Sequence, residues 1–272
     1  MQRVEMLSKY KGSSGTGIMR STGDLISARS SWQNNENRNL EFLLHYRYTW
    51  MNKFISKASK GLEIGSGIGA SKKYIRKDSN LLISDNNDND WLDINNLDAG
   101  EIKKYSDRNF EYIVANNVIH HLAYPAQFIT DCFEILPSNG KLIIQEINTS
   151  ILCRFILRIL RHEPFEETAN LKDFKIPQSD PLDNWDANCS IPKILFADRN
   201  CFKNDFNHLR ISHLKYTEVF NLLISGGVTA KTWYPRLPTF ILDLLRSVDS
   251  VLCAISPRIF AFQMQVVIER DE

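Results

Sequence analysis

The stretch Gly61-Leu62-Glu63-Ile64-Gly65-Ser66-Gly67-Ile68-Gly69-Ala70 decides the fold. It opens as a short apolar run, passes through three alternating glycines and leads into a helix-compatible segment, Ala70 to Arg76. A glycine-rich turn between a strand and a helix lets the backbone approach a bound nucleoside without Cβ clashes. By its glycines alone, the segment is only a tight turn.

Two carboxylates sharpen that reading. Glu63 stands two residues before the first glycine of the loop. An acid there would repel a phosphate, but it favours a nucleoside that carries a sulfonium and an ammonium. Asp85 ends the next apolar run, Leu81-Leu82-Ile83-Ser84-Asp85. Roughly 20 residues past such a loop, a carboxylate can accept hydrogen bonds from both ribose hydroxyls. Together they point to S-adenosylmethionine, and the missing GxGxxG spacing disfavours an NAD-dependent dehydrogenase.

Outward from the loop, strand-like and helix-like segments alternate. Phe110 to Ala115 precedes a helix from about Tyr124 to Leu136, and Pro137-Ser138-Asn139-Gly140 turns into the run Lys141 to Ile147. Short apolar strands alternating with helices imply a parallel sheet covered on both faces. Upstream, residues 1 to about 38 are polar and read as a mobile arm with one short ordered piece. A helix apolar around most of its girth follows, carrying Leu40, Leu43, Leu44, Tyr48 and Met51. The rhythm breaks over about 150–212, where a helix from Ile151 to Arg161 gives way to a stretch rich in Pro, Asp and Asn. It resumes with a helix expected over His213 to Ile224, a strand over Val228 to Tyr234, a helix from Phe240 to Ile255 and a last strand from Phe260 to Arg270. The domain expectation is therefore an arm at 1–38 and one domain at 39–272, with 150–212 as a substrate-side insertion.

Composition narrows the function classes. With 43% hydrophobic and 24% charged residues, the 272-residue chain is an ordinary globular protein able to bury a full core. Its net charge of +1 gives no basic surplus, so no nucleic-acid partner is expected. Five scattered cysteines without a CxxC pair argue against a zinc site and a disulfide framework. No metal is expected, and reduced thiols with no apolar leader suit a cytoplasmic location.

The segments GLEIGSGIGA (61–70), LLISD (81–85), WLDINNL (91–97), FEYIVANNVIHHL (110–122) and ILPSNGKLIIQEI (135–147) resemble the class I S-adenosylmethionine-dependent methyltransferases. The likeness is to the small-molecule, methyltransferase type 11-like branch, with its LHHL element after the fourth strand. It implies an α/β, doubly wound, mostly parallel seven-stranded sheet with a mainly helical insertion after the fifth strand. It also implies that Glu63, Gly65, Ser66, Gly67 and Gly69 line the methionine and ribose portion and that Asp85, with Asn86 beside it, meets the ribose. Asp93 and Ile94 would meet the adenine, and Asn116 and Asn117 would face the sulfonium. One departure is the segment 84–93, SDNNDNDWLD, too short for the usual long helix between the second and third strands; Asp88 or Asp90 could take the part of Asp93. The segment 161–166 and the later 186–196 resemble, more loosely, a subgroup associated with bacterial surface-polysaccharide biosynthesis.

Methyl transfer from a sulfonium needs mainly alignment, which can supply about 7–11 kcal/mol, and for a hydroxyl acceptor a proton acceptor. His120 and His121 follow the fourth strand, while His162 and Glu163 lie beyond the fifth strand and its helix. Each has a plainer reading: the adjacent histidines as packing or helix-start residues, and His162-Glu163-Pro164 as a helix stop. Glu146 closes a strand where open α/β sheets place ligand contacts, or simply partners a loop amide.

Two amphipathic helices add a further possibility. Arg154, Arg158 and Arg161 recur opposite Leu152, Phe155, Ile156 and Ile159, and a basic amphipathic helix can lie on an anionic membrane; burial in the core is the commoner fate of such stripes. The functional expectation is methylation of a small-molecule acceptor, first a saccharide or saccharide-bearing intermediate. The alternatives are an O- or N-methyltransferase of another secondary metabolite and a non-catalytic cofactor-binding partner subunit.

Overall fold

The computed structural model describes residues 24–160, 163–169, 171, 176–183, 185–229 and 232–271. Its strands are β1 (Lys60–Ile64), β2 (Asn80–Ile83), β3 (Tyr112–Asn116), β4 (Lys141–Ile147), β5 (Leu209–Thr217) and β6 (Gln263–Arg270). They form one sheet in the order β2-β1-β3-β4-β6-β5. The first four are mutually parallel, and β6 runs antiparallel between β4 and β5. The carboxyl ends of β1 to β4 therefore share one edge, where open α/β sheets bind ligands.

Alternation along the strands builds a core on each face. Ile113, Ala115, Leu142 and Ile144 pack into one layer with Phe128, Ile129 and Phe133 of helix α4 (Pro125–Ile135). Tyr112, Val114 and Ile143 point the other way, to Leu40, Leu44 and Tyr48 of helix α2 (Arg38–Thr49). That helix starts where Asn37 accepts a hydrogen bond from the Leu40 amide at 3.0 Å, an ordinary N-cap. Before it, helix α1 (Leu25–Gln33) is capped by Asp24 and lies within the stretch read as an arm. Residues 1–23 of that arm lie outside the described residues.

The sheet has six strands rather than seven. The segment WLDINNL (91–97) contributes only a single parallel bridge, between Ser84 and Ile94. Only Asp85 to Asp93 joins the two residues, and a parallel crossover normally needs a dozen residues or more. Two further expectations are corrected. His213 to Thr217 belongs to β5, not to a helix, because Leu209 to Thr217 pairs along β6 and fills the sheet edge; tertiary pairing overrides local preference there. Only the one-turn helix α8 (Phe220–Leu223) follows, and the described part of 228–234 forms no strand.

The region after β4 holds helices α5 (Ile151–Leu160), α6 (Ile191–Phe196) and α7 (Arg199–Asp205). Helix α9 (Thr239–Ile255) packs beside α5 through Cys153, Leu157, Leu252 and Cys253. Helix α3 (Ser71–Tyr74) completes the set. No helix among the described residues is long and apolar enough to cross a membrane.

Candidate active site

The glycine loop leaves β1 and is stitched to the end of β2. The Ser66 amide donates to Ser84 O at 2.9 Å, and the Ser84 hydroxyl donates to Glu63 O at 2.6 Å. Gly65 has φ +64°, and a Cβ there would stand 2.5 Å from Val118 Cγ2. Both conditions require glycine, and they bring the loop against the segment that follows β3.

Glu63 is fully buried beneath this loop. Its Oε2 accepts from the Ser71 hydroxyl at the start of α3. Its Oε1 is buried with no hydrogen-bond partner of good geometry among the described residues. Burial pushes the carboxyl up to about 6, against the Ser71, Ser66 and Tyr48 hydroxyls that favour its ionised form, with Asp85 adding to the rise. A buried carboxylate oxygen left open beside a glycine cradle suits an ammonium group, which would satisfy that oxygen and restore the charge.

Asp85 sits at the end of β2 with its carboxylate toward the loop. Oδ2 accepts from the Gly67 amide at 2.8 Å, and Oδ1 accepts from the Asn87 side chain at 2.7 Å. Oδ1 also accepts from the Asn87 amide at 3.1 Å, so the lone pair left for a further donor is on Oδ2. Asn86 is exposed just beyond it. Asp93 turns elsewhere: its Oδ2 accepts from the Ile83 amide at 2.8 Å and pairs with Lys72 at 2.8 Å. Asp93 thus anchors the β2 edge, while Ile94 makes the bridge to Ser84 and its carbonyl faces the Asp85 amide at 3.4 Å. Asp88 and Asp90 lie on the exposed connection, in a cleft with Ile26, Arg29 and Trp91.

Three further residues at this half of the site, Trp91, Arg29 and Tyr48, had no site role legible in the sequence. Trp91 Nε1 donates to Gly67 O at 3.0 Å, and the Arg29 guanidinium lies 4.6 Å over the Trp91 ring and donates to Ile68 O. Helix α1 is thereby clamped onto the glycine loop. Tyr48 of α2 brings its buried hydroxyl beside Glu63 and Asn116, and burial raises its pKa well above the ordinary value. The apolar girth of α2 was legible, but nothing marked which aromatic would reach the loop.

At the carboxyl edge of the sheet, Asn116 ends β3 and Asn117 follows in the left-handed region, φ 54°. Asn117 donates to Asn116 Oδ1 at 2.9 Å and accepts from Gln263 Nε2 at 2.9 Å, so both amides are held at the carboxyl edge. Beneath them lies Glu146 of β4, fully buried. Its Oε1 accepts from the Val118 amide at 2.7 Å and from Ile119, and its Oε2 accepts from the Ile147 amide at 3.0 Å and contacts His120 Nδ1 at 2.7 Å. Burial alone would lower the His120 pKa, but the Glu146 and Glu163 carboxylates outweigh it and hold it up to about 10.

His121 rests Nδ1 on Asp186 O at 3.1 Å. Burial, then the neighbouring His120, lowers its pKa. Glu163 arrives from beyond α5, with Oε2 3.5 Å from His120 Nε2 and Oε1 3.9 Å from His121 Nε2. The loop after α5 is fastened to this group by hydrogen bonds from Asn188 N to His120 O and from the Ser179 hydroxyl to His121 O. His162 lies outside the described residues. The structure therefore gathers His120, His121 and Glu163 at one end of the carboxyl edge, and Glu63, Ser66, Gly67 and Asp85 around the loop.

Known proteins share the fold. A family model described as a methyltransferase domain matches residues 33–187, more than half of the chain. A SAM dependent methyltransferase from Archaeoglobus fulgidus is similar at 15% identity and TM-score 0.52, covering 84% of this chain and 93% of its own. The plantazolicin methyltransferase BamL, solved with a triazolic desmethylPZN analog and SAH, is 10% identical at TM-score 0.45, covering 91% and 90%. The MccD protein is 12% identical at TM-score 0.46, covering 84% and 97%. No curated protein matches the sequence. With its doubly wound sheet and its family match, the chain belongs to the methyltransferase-domain family and is a class I S-adenosylmethionine-dependent methyltransferase.

Proposed function

We propose that the chain methylates an oxygen of a small-molecule acceptor, with a saccharide or saccharide-bearing intermediate as the first candidate. The observation that carries this reading is the convergence of His120, His121 and Glu163 at the carboxyl edge of the sheet. When bound, S-adenosylmethionine supplies an electrophilic methyl on a leaving group that is already activated. Glu63 would hold its ammonium, the backbone of Gly65, Gly67 and Gly69 would lie along it, and Asp85 would take the ribose. Asn116 and Asn117 would flank the sulfonium region. The remaining need of a hydroxyl acceptor is orientation and loss of a proton, and the histidine–carboxylate group is the polar set that can provide both. The deciding experiment is methyl transfer from labelled cofactor to nucleotide sugars, lipid-linked sugars and other hydroxylic metabolites. Labelling of amines alone would overturn the oxygen assignment.

A lipid-linked form of that acceptor is supported by the outer surface of α5 and α9. Ile151, Phe155 and Ile159 on one helix and Phe240, Leu244, Val251 and Ile255 on the other are exposed. Exposed Arg158, Arg246 and Arg258 accompany these ridges, as an anionic membrane surface would favour. Flotation with anionic and neutral liposomes tests this contact, and absence from both lipid fractions ends it.

A further inference from the structure

We infer that His120, His121 and Glu163 form a binding site for one first-row divalent transition-metal cation. The inference rests on the methyltransferase reading and assigns that acceptor site a second ligand of its own.

The argument begins with the ring nitrogens. His121 Nδ1 lies 3.1 Å from the Asp186 carbonyl oxygen, which can only accept, so Nδ1 carries the hydrogen and Nε2 keeps its lone pair in the neutral ring. His120 Nδ1 lies 2.7 Å from a Glu146 carboxylate oxygen that also accepts from the Ile147 amide, so Nδ1 donates there and Nε2 offers its lone pair once a cation has displaced its proton. Each histidine is thus turned by a fixed oxygen so that Nε2 faces Glu163. A histidine oriented by an acceptor on its other nitrogen is the usual support of a metal ligand.

Three lone-pair donors then converge: the two Nε2 atoms and a carboxylate oxygen, all within 4.8 Å of one another. Direct hydrogen bonds would draw nitrogen and oxygen to about 2.7–3.2 Å. The separations are instead 3.5 and 3.9 Å. Donors bound at about 2.0–2.2 Å to one cation stand about 3–3.6 Å apart, so a cation would draw the three atoms together from separations of up to 4.8 Å. The charge agrees with this. Glu146 and Glu163 both face His120 and Glu163 also faces His121, so two carboxylates meet the histidine pair. The Cys189 thiol donates to Glu163 Oε2 at 3.3 Å and steadies that carboxylate.

Two imidazoles and one carboxylate suit zinc, manganese, iron(II) or cobalt(II) rather than calcium or magnesium, which take oxygen donors. Three protein donors leave coordination positions for water or for an acceptor oxygen. A hydroxyl held there would lose its proton to solvent more readily. The expectation that the chain holds no metal came from cysteine spacing, and these ligands come from residues that no spacing motif joins.

The test uses the full chain, stripped with a chelator and dialysed. Co²⁺ is titrated while its visible absorption is followed, and Mn²⁺ is titrated while its free ion is followed by electron paramagnetic resonance. One equivalent per chain, weakened about tenfold or more in both His121→Ala and Glu163→Gln, supports the site. Binding of less than about a tenth of an equivalent, or undiminished binding in both variants, overturns it. Calorimetry with S-adenosylmethionine on the same stripped samples reports folding and separates the two claims. Cofactor binding without cation binding removes the metal alone, whereas loss of both in the unmodified chain removes the underlying reading.

Discussion

Glu146 and His120 are joined at 2.7 Å beneath the loop that follows β3, and the same carboxylate accepts the backbone amides of Val118, Ile119 and Ile147. One buried side chain thereby fixes both the backbone of the loop after β3 and the orientation of the His120 ring. Removing it strands several buried donors at once. Glu146→Ala is expected to lower unfolding free energy by about 3–5 kcal/mol. Glu146→Gln keeps one acceptor oxygen and should lose less. Urea titration of both variants checks this ordering, and an alanine variant within about 0.5 kcal/mol of the parent chain contradicts it.

Glu63 gives the fold a cost that the proposed ammonium contact would relieve. Its carboxyl has an ordinary value of 4.5 and rises to about 6 in the cofactor-free fold. Between these values the folded chain holds the extra proton, so this group's contribution to stability falls as pH rises through the window and levels off above it. The difference is about 2 kcal/mol at neutral pH. Glu63→Gln should therefore stabilise the cofactor-free protein at pH 7.5 by roughly that amount, read as a higher melting midpoint, while weakening cofactor binding.

Gly65 faces both a positive φ and the Val118 side chain. Gly65→Ala should lose about 1–3 kcal/mol of stability and most cofactor affinity. Adding Val118→Ala removes the 2.5 Å clash but leaves the backbone strain. The double variant should recover stability only in part, as a thermodynamic cycle of the four proteins will report.

Arg47 of α2 donates to Glu218 through Nε at 2.9 Å and through a second nitrogen at 2.7 Å, with little of either side chain exposed. The pair ties α2 to the chain just after β5. Arg47→Ala leaves Glu218 buried without its cation and should cost about 3–5 kcal/mol. A double variant with Glu218→Gln should restore much of that loss, and additive losses would contradict the account.

The sequence was most readable where chemistry is local. The glycine spacing, Glu63 and Asp85 lie in or beside single strands, and the apolar runs around Val114 and Ile143 declare a sheet with two covered faces. Legibility failed where distant segments decide. His213 to Thr217 becomes a strand because β6 offers it a partner, and the bridge at Ile94 is all that the short connection from Ser84 permits. Asp93 has a family-like position, yet Lys72 and the Ile83 amide take its carboxylate. The approach of Glu163 to His120 and His121 depends on the fold of the loop after α5, and the clamp of Arg29 on Trp91 depends on where α1 docks. Neither has a local pattern to announce it.

The most direct test of the account is a calorimetric titration with S-adenosylmethionine at pH 7.5 and pH 5. If ionised Glu63 holds the ammonium, the chain binds one cofactor at pH 7.5 and loses about tenfold in affinity at pH 5, one unit below the carboxyl's pKa of about 6. Glu63→Gln should then bind weakly at both values, with little dependence on pH. An affinity in the parent chain that does not change between the two, or a glutamine variant that binds as tightly as the parent, would contradict the account.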